Sequence, residues 1–530
     1  MPAERLARRR HHAMRQAAAK RGGQARFVGP TGIALITVAA ILTLRGFPST
    51  AEYGWGSIFY YLLGAVLFFV PLSFVAAELA TGWPRAGGMY AWVKAGFGTR
   101  SGFLAVWFDW IENVVWFPTV LSFVAATLAY IFEPSLANNK WYLVIIMLVV
   151  FWGMTLANFL GLRDILVFNN IALVAGTLFP ALLLIGLGIY WLVSGRTSAI
   201  PYTAHALLPN FSSIDNLVFF AGVLLGFAGV EMAGYSAKQL RNIRRDYPRA
   251  ILYSTVLILA LSIVGTLAIA FVVPAHKLSL VAGLMQAFQV FFAKLGLASW
   301  ATKLMAALVG LGTLALISTW MIGPSKGVYA AEESGELPPE LHYVNKRHVP
   351  VAMLVFQGGL GTLFALLYLF APGVSTGYWM LTALTTQLTV LMYILMLAAA
   401  IRLRYTQPDT PRPYRVPGGK YTGMWIIAGL GILGSAFGLV IGFFPPSGIA
   451  HWSTPVYVLA MVIGIVICSV PPFLADWLRK PNWKITHPDP VLLEASEEDR
   501  ASDPTGVPPA TKPPSGEEPA GEARPAEPVR

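Results

Sequence analysis

The 530-residue chain is 56% hydrophobic and 12% charged. That charged share is about half the share of an ordinary soluble domain. The formal net charge is +12, and the mean hydropathy is +0.61. This composition excludes an ordinary soluble globular protein and indicates a protein that spans a membrane. Because Cys468 is the only cysteine, the sequence also excludes a framework of intramolecular disulfides.

Apolar stretches of about 20 residues, each long enough to cross a bilayer, recur along most of the chain. They predict an all-α polytopic membrane protein with about twelve transmembrane helices. The predicted spans 1 to 12 lie at about 30–50, 55–79, 101–132, 141–161, 165–194, 215–237, 248–273, 299–323, 349–371, 375–401, 422–445 and 454–478. A further amphipathic stretch at 283–296 is predicted to form a helix in the membrane interface.

The two ends of the chain differ from its apolar middle. Residues 1–29 are predicted to be a basic cytoplasmic segment, residues 30–480 the transmembrane domain, and residues 481–530 an acidic, proline-rich tail. From 485 to 530 the chain has ten prolines, ten acidic and four basic residues, hence a net charge of −6. Such a composition predicts disorder, because too little apolar surface is present to form a core.

The excess of positive charge follows the predicted topology. Most Lys and Arg residues lie before span 1 and in the loops after spans 2, 6, 8 and 10, whereas the alternate loops contain only Lys140, Arg196, Lys277 and Lys294. Under the positive-inside rule this asymmetry predicts a protein of the cell membrane with both termini in the cytoplasm. The basic start also offers a contact with anionic membrane lipid. Nothing in the pattern indicates nucleic-acid binding, and the sequence specifies no oligomeric state.

An ionisable residue, Glu231, lies in the middle of span 6, just after the run GFAG at 226–229. A carboxylate at membrane depth is costly, and such residues usually belong to a site in the bundle interior. Gly226 and Gly229 predict an interruption of the helix at the same place, which would expose backbone groups to a substrate. A purely structural Glu, hydrogen-bonded to a neighbouring helix, is the alternative.

Span 1 contains an intramembrane arginine, Arg45, followed by Gly46. If spans 1–5 and 6–10 are two related halves, spans 1 and 6 occupy matching places. In inverted-repeat transporters, two such interrupted helices face each other across the binding site. The middle of span 1, TVAA at 37–40, lacks glycine, so the interruption is only weakly indicated there.

Two carboxylates, Asp109 and Glu112, lie three residues apart in span 3 and share one helix face. They are candidates for an ion pair with Arg45, for a proton path or for the lining of a vestibule, because two carboxylates this close titrate together. Polar contacts between helices without any role in transport are an equal alternative.

The strongest motif is AAELATGWPRAGGMYAWV at 76–93, which follows span 2. This segment and RPYRVPGGK at 412–420 resemble the amino acid–polyamine–organocation superfamily of permeases. Three further segments, NIRRDYPRAIL at 242–252, MIGPSKGVYA at 321–330 and GFFPP at 442–446, resemble the bacterial glutamate/GABA antiporter family. The resemblance covers residues 30–480 almost completely.

The resemblance implies a five-plus-five inverted repeat with interrupted spans 1 and 6, two additional helices, and a substrate held between the two interruptions. It implies that helix ends hold a substrate carboxylate and that Glu231 holds an ammonium or a proton, without a cofactor or a metal. The corresponding substrate-binding residues are Arg45, Ala39, Ala40, Gly226, Ala228, Gly229, Glu231, Trp320 and Tyr393.

Three positions depart from the antiporter pattern. Arg45 and Thr389 stand where the antiporters have tyrosines, and Leu316 stands where they have a second acid. These changes alter the charge of the implied pocket, so glutamate/GABA exchange is not transferred to this chain. The tail also differs from the C-terminal plug of the antiporters, and a solvated tail is therefore favoured over a plug.

The sequence thus predicts a secondary-active amino acid transporter, a permease or antiporter that works by alternating access, and not an enzyme. The absence of a Walker loop argues against ATP-driven transport. A polyamine or cationic amine transporter of the same superfamily is the first alternative. An ion channel or a nontransporting membrane scaffold is the alternative from another class.

Overall fold

A computed structural model of the protein describes residues 29–83, 88–159, 171–172, 174–201, 207–208, 217–229, 231, 240, 242–297, 299–332, 335–345, 347, 349–446, 453–480 and 483. All regular structure in these ranges is helical. The helices are α1 (Pro30–Ile41), α2 (Phe47–Ala51), α3 (Gly54–Gly82), α4 (Met89–Phe97), α5 (Thr99–Phe132), α6 (Lys140–Phe159), α7 (Val174–Val193), α8 (Phe220–Gly226), α9 (Ile243–Val272), α10 (Gly283–Lys294), α11 (Ser299–Glu332), α12 (Val351–Phe370), α13 (Val374–Thr406), α14 (Thr422–Ile441) and α15 (Thr454–Leu478). The predicted all-α fold is confirmed.

Within the described ranges, ten helices are long and apolar enough to cross a membrane, namely α3, α5, α6, α7, α9 and α11 to α15. The chain is therefore a multi-pass membrane protein. These ten helices correspond to ten of the predicted spans. The other two are spans 1 and 6: span 1 is divided between α1 and α2, and the described part of span 6 contains only the short α8. The total of twelve spans and the inverted repeat stay predictions.

The bundle is centred on α5, which packs most extensively against α11 and α13. The most apolar stretch of α5 is 89% buried and that of α13 is 78% buried, whereas that of α15 is only 17% buried. The last helix thus leaves most of its surface free for lipid. The amphipathic segment after α9 forms α10 as predicted, and its apolar face packs against α11 and α9.

The two superfamily-like motifs, far apart in sequence, meet in the fold. Glu78, at the end of α3, accepts hydrogen bonds from Nε and Nη2 of Arg404, at the end of α13, both at 2.6 Å. The Arg412 Nε lies 3.3 Å from the same carboxylate, and the Val416 N–H donates to it at 2.7 Å. Together these residues, the Glu78 cluster, fasten the loop after α13 onto α3 and fix the position of α13.

Candidate functional site

Span 1 is interrupted just before Arg45. After α1 come Leu42 and Thr43, whose extended backbone has ψ angles of 110° and 132°. A single 3-10 turn that contains Arg45 follows, and then α2 begins with Pro48 in its first turn. Proline has no N–H to donate to a preceding helical turn, but it fits the first turn of a new helix well. The sequence therefore favours a restart of the helix at this place.

The interruption lies later than the sequence suggests. Ala39 and Ala40, the predicted binding residues of span 1, have helical backbone within α1, and their side chains lie outside the described residues. The first residue after the helix is Leu42. Because this interruption is made by extended residues and a following proline, it leaves no glycine signal in the predicted place.

Span 6 is interrupted at the run that the sequence singled out. Helix α8 ends at Gly226, and the chain then turns before it reaches Glu231. Gly229 has a φ angle of +90°, and a Cβ at this position would lie 3.1 Å from the Trp320 ring. Both the left-handed backbone and the aromatic neighbour require glycine here.

The two interruptions face one cavity, which α5, α11 and α13 complete. Of the sequence-predicted residues, those that line it are Arg45, Glu112, Gly226, Ala228, Gly229, Glu231, Trp320 and Tyr393. Leu316, one of the departures from the antiporter pattern, also lines the cavity. Asp109 lies outside the lining, and its carboxylate faces Gly327 of α11. The described residues contain no cluster of three or more His, Cys, Asp or Glu side chains that could hold a metal ion.

Arg45 is a buried cation without an anionic partner in the described part of the chain. Its side chain is 7% exposed, and its Nη1 donates to the hydroxyls of Thr119 at 2.8 Å and Tyr378 at 3.2 Å. The guanidinium also lies over the rings of Trp116 and Tyr378, 5.8 Å and 5.7 Å from their centroids. No ion pair joins Arg45 to Asp109 or Glu112, and its buried Nε has no hydrogen-bond acceptor among the described residues.

Glu231 is held by a short relay. The Tyr393 hydroxyl accepts from the Gly229 N–H at 3.0 Å and donates to Glu231 Oε2 at 2.5 Å. A hydrogen bond this short is typical of an O–H that donates to an ionised carboxylate. The interrupted backbone of span 6 and a side chain of α13 thus hold one buried anion at the cavity.

Glu112 meets different partners from those of Glu231. Its Oε1 accepts from the Asn113 side chain at 2.7 Å, and its Oε2 lies 3.0 Å from the Thr389 hydroxyl of α13. Although Asp109 and Glu112 are close in sequence, the structure places only Glu112 at the cavity. The cavity wall formed by the described residues thus contains one cationic side chain and two carboxyl side chains.

A sequence profile described as amino acid permease matches residues 29–468. The chain belongs to the amino acid permease family. It is 40% identical over 442 residues to an uncharacterised transporter of Legionella pneumophila, an alignment that covers 83% of this chain and 95% of that protein. It is 32% identical over 481 residues to a glutamate/gamma-aminobutyrate antiporter of Lactococcus lactis, with 89% and 95% covered. A probable agmatine/putrescine antiporter of the same species is 26% identical over 392 residues, with 72% and 81% covered.

These similarities confirm the predicted resemblance to the superfamily and to the antiporter family. With the ten apolar helices, they confirm the prediction of a secondary-active amino acid transporter. These similarities do not favour the alternative of a polyamine transporter over that of an amino acid transporter. The named relatives are transporters and antiporters, which agrees with a protein that is not an enzyme.

Several cavity residues of this permease were not found by sequence reasoning. They include Tyr378 and Trp116, whose hydroxyl and ring contact Arg45. Thr119, which accepts a hydrogen bond from Arg45 but does not line the cavity, was also not found. Thr382, on α13, lines the cavity with a hydroxyl that has no partner in the described part. Hydroxyl and aromatic residues are common on transmembrane helices, so nothing in their local sequence sets these residues apart.

Proposed function

We propose that this permease binds the carboxylate of an amino acid with Arg45 and its ammonium with Glu231, and that it carries the amino acid by alternating access. One observation supports this most directly: a buried cation and a buried anion, from the two interrupted spans, line the same cavity without forming an ion pair. A zwitterion between them would neutralise both charges. This chemistry needs neither a cofactor nor a covalent step.

The free edge of Arg45 suits a carboxylate. The hydrogen bonds that its guanidinium donates to described residues, Thr119 and Tyr378, both use Nη1, so Nε and Nη2 have no partner among the described residues. These two nitrogens form the side of the guanidinium that binds a carboxylate through two parallel hydrogen bonds. A polyamine has no carboxylate and would be repelled by the same group, which disfavours the cationic alternative.

The opposite side of the cavity suits an ammonium. Glu231 presents its carboxylate there, and the ring of Trp320 lies against the backbone of Gly229. The ring of Trp116 is 6.3 Å from that of Trp320. A carboxylate next to aromatic faces is a favourable environment for a substrate cation.

The positions of the interruptions support alternating access. They fall in predicted spans 1 and 6, the matching places of the proposed inverted repeat, and residues of both line the same cavity. Movement of one repeat against the other about a site at such an interface is how many secondary transporters expose a substrate to either side. We place the protein in the cell membrane with both termini in the cytoplasm, as its charge asymmetry suggests.

The specificity is expected to differ from that named for the Lactococcus relatives. Arg45 and Leu316 both line the cavity, and they stand where the antiporter pattern has a tyrosine and an acid. A cation gained and an anion lost change the charge of the cavity, so the preferred substrates should change as well. The exchange of glutamate for GABA is therefore not the preferred reaction that we propose for this chain.

Transport by purified protein in liposomes tests this proposal. Radiolabelled amino acids, GABA, putrescine and agmatine would be offered one at a time, with empty liposomes as the control. We expect saturable uptake of an amino acid that is accelerated by unlabelled amino acid inside the vesicles. Non-saturable flux would indicate a channel, and uptake of the amines alone would indicate the cationic alternative. Efficient glutamate/GABA exchange would contradict the proposed difference in specificity.

A further inference from the structure

The hydroxyl of Thr389 has two close oxygen neighbours and only one hydrogen. Its Oγ1 lies 2.8 Å from the Thr385 carbonyl oxygen and 3.0 Å from Glu112 Oε2. A carbonyl oxygen and an ionised carboxylate oxygen both only accept, whereas a hydroxyl donates one hydrogen and accepts others. If Glu112 were ionised, the single hydrogen of Thr389 would be shared between the Thr385 carbonyl oxygen and Glu112 Oε2 in a three-centre bond, so that neither oxygen has a hydrogen of its own.

A proton on Glu112 Oε2 satisfies every partner. The acid O–H then donates to Thr389 Oγ1, and the Thr389 hydroxyl donates to the Thr385 carbonyl. The Asn113 amide donates its two hydrogens to Glu112 Oε1 at 2.7 Å and to the Asp109 carbonyl at 2.8 Å. All these groups are then hydrogen-bonded, as buried polar groups in proteins almost always are.

The same hydrogen count gives the opposite result for Glu231. The Tyr393 hydroxyl already accepts from the Gly229 N–H, so its own hydrogen is free to go to Glu231 Oε2. Glu231 therefore needs no proton. The two carboxyl groups of the cavity thus have different roles, one an acid and the other an anion, because their partners differ.

We infer that Glu112 is a proton-binding site and that transport through the cavity is coupled to the proton it holds. The coupling rests on the proposed function, whereas the proton site rests on the hydrogen count alone. With Glu112 neutral, the charges of Arg45 and Glu231 balance across the cavity. An additional buried carboxylate without a compensating cation would be unfavourable.

The charged groups that act on Glu112 come from three places. Asp109 lies one turn earlier on α5, Glu231 comes from span 6, and Arg45 comes from span 1. When Glu112 loses its proton to water entering the cavity, the new carboxylate adds a second anion opposite Arg45. The cavity with and without the proton therefore differs by one charge, which changes its affinity for a zwitterion.

The Thr389 partner stands where the antiporters have a tyrosine, so this arrangement is a feature of this chain.

Infrared difference spectroscopy tests the proton site without any substrate. The spectrum of Glu112→Gln at neutral pH would be subtracted from that of the wild type. We expect the carbonyl stretch of a protonated carboxylic acid in this difference, and carboxylate bands in the corresponding difference for Glu231→Gln. Asp109→Asn should keep the Glu112 band, and Thr389→Val should shift it because the acid loses its acceptor. Carboxylate bands assigned to Glu112, or a band unmoved by Thr389→Val, would overturn the inference.

Uptake into liposomes tests the coupling. The probe is a radiolabelled mixture of the common amino acids, offered with and without a pH gradient of one unit. With one proton per cycle, the gradient should raise accumulation by the wild type by up to about tenfold. Glu112→Gln should accumulate the probe equally with and without the gradient.

Two results would overturn the coupling while the proposed function stands: wild-type uptake that ignores the gradient, or a normal gradient response in Glu112→Gln. If the wild type takes up no amino acid, the proposed function fails, and the infrared result still decides whether Glu112 holds a proton.

Discussion

Two groups of buried charges differ in whether their members form ion pairs. In the Glu78 cluster, the carboxylate binds Arg404 through two hydrogen bonds, and the Arg404 Nη1 donates to the Lys420 carbonyl at 2.7 Å. In the cavity, Arg45 and Glu231 share one space without an ion pair, and the Arg45 Nε has no acceptor in the described chain. Both groups are more than nine-tenths buried.

This difference in pairing distinguishes buried charges that stabilise the fold from buried charges that serve transport. A buried ion pair that is fully hydrogen-bonded resists disruption, because removing one partner leaves an uncompensated charge. Buried charges without partners are unfavourable in an empty site, and they are retained where a ligand or a proton compensates them. We therefore expect changes in the Glu78 cluster to affect folding and changes in the cavity to affect transport.

The largest effect on stability is expected for Glu78→Ala. It leaves Arg404 and Arg412 without a carboxylate in a buried place, which should reduce the free energy of unfolding by about 3–5 kcal/mol. The loss of stability is measured by thermal unfolding of the protein in detergent, monitored by size-exclusion chromatography. Glu133→Ala is the matched control, because Glu133 is exposed and its side chain accepts a hydrogen bond from Ser135 alone among the described residues; its effect should stay within about 0.5 kcal/mol. Equal stability of the two variants would contradict a structural role for the cluster.

In the cavity, Glu231→Gln should abolish or strongly impair transport while the protein still folds. The amide keeps an acceptor for the Tyr393 hydroxyl but loses the charge for an ammonium. A hydrogen bond to a charged group contributes about 1.5–3 kcal/mol, so kcat/KM should fall by about tenfold to a hundredfold. Initial rates in liposomes and the unfolding temperature would be measured together. Normal transport kinetics in this variant would rule out the assignment of Glu231.

Arg45→Gln tests whether the cation serves the fold or the substrate. Because no described carboxylate pairs with Arg45, the free energy of unfolding should change by less than about 1 kcal/mol, unlike the loss of a buried ion-pair partner. The KM for an amino acid should rise relative to that for its decarboxylated amine, because only the amino acid has the carboxylate. A loss of stability as large as that of Glu78→Ala, with the KM ratio unchanged, would assign Arg45 to the fold.

The spans and the charged residue Glu231 could be predicted from the sequence, whereas the partners of the buried charges could not, for a physical reason. Hydropathy indicates the spans because apolar length is a local property. Glu231 stands out for the same reason, as one carboxylate in an apolar run. The partners do not stand out: the Arg45 contact with Tyr378 joins residues 333 positions apart, and the Glu112 contact with Thr389 joins residues 277 positions apart.

The Glu78 cluster was missed in the same way. Both motifs were recognised as superfamily-like, but their meeting depends on the packing of α3 against the loop after α13. The interruption of span 1 lies later than the predicted binding residues Ala39 and Ala40, because the helix continues to Ile41 and restarts just after Gly46, with Pro48 in its first turn. The sequence thus indicates charges that break a local pattern, whereas the pairing of those charges requires the fold.

The smallest expected effect concerns Glu336, which lies between the two extremes of the comparison. This residue follows α11 and is 1% exposed; its Oε1 accepts from Arg479 at 3.0 Å, while its Oε2 has no partner in the described chain. Burial raises the pKa of the Glu336 carboxyl above its ordinary value, and the neighbouring Arg479 opposes part of this rise. Because the folded state binds this proton more tightly, the contribution to stability is complete below the unfolded pKa of about 4.3 and is lost as the pH rises through the folded pKa.

Glu336→Gln should remove this pH dependence. Relative to the variant, the wild type should lose stability as the pH rises above about 4.3, and the loss should be small because Arg479 offsets part of the effect of burial. The measurement is the difference in unfolding temperature between the two proteins across this range. Arg479→Gln, which removes the partner that stabilises the carboxylate, should enlarge the loss. If the difference in unfolding temperature is constant with pH, burial does not raise the pKa of the Glu336 carboxyl in the folded protein, and the prediction is wrong.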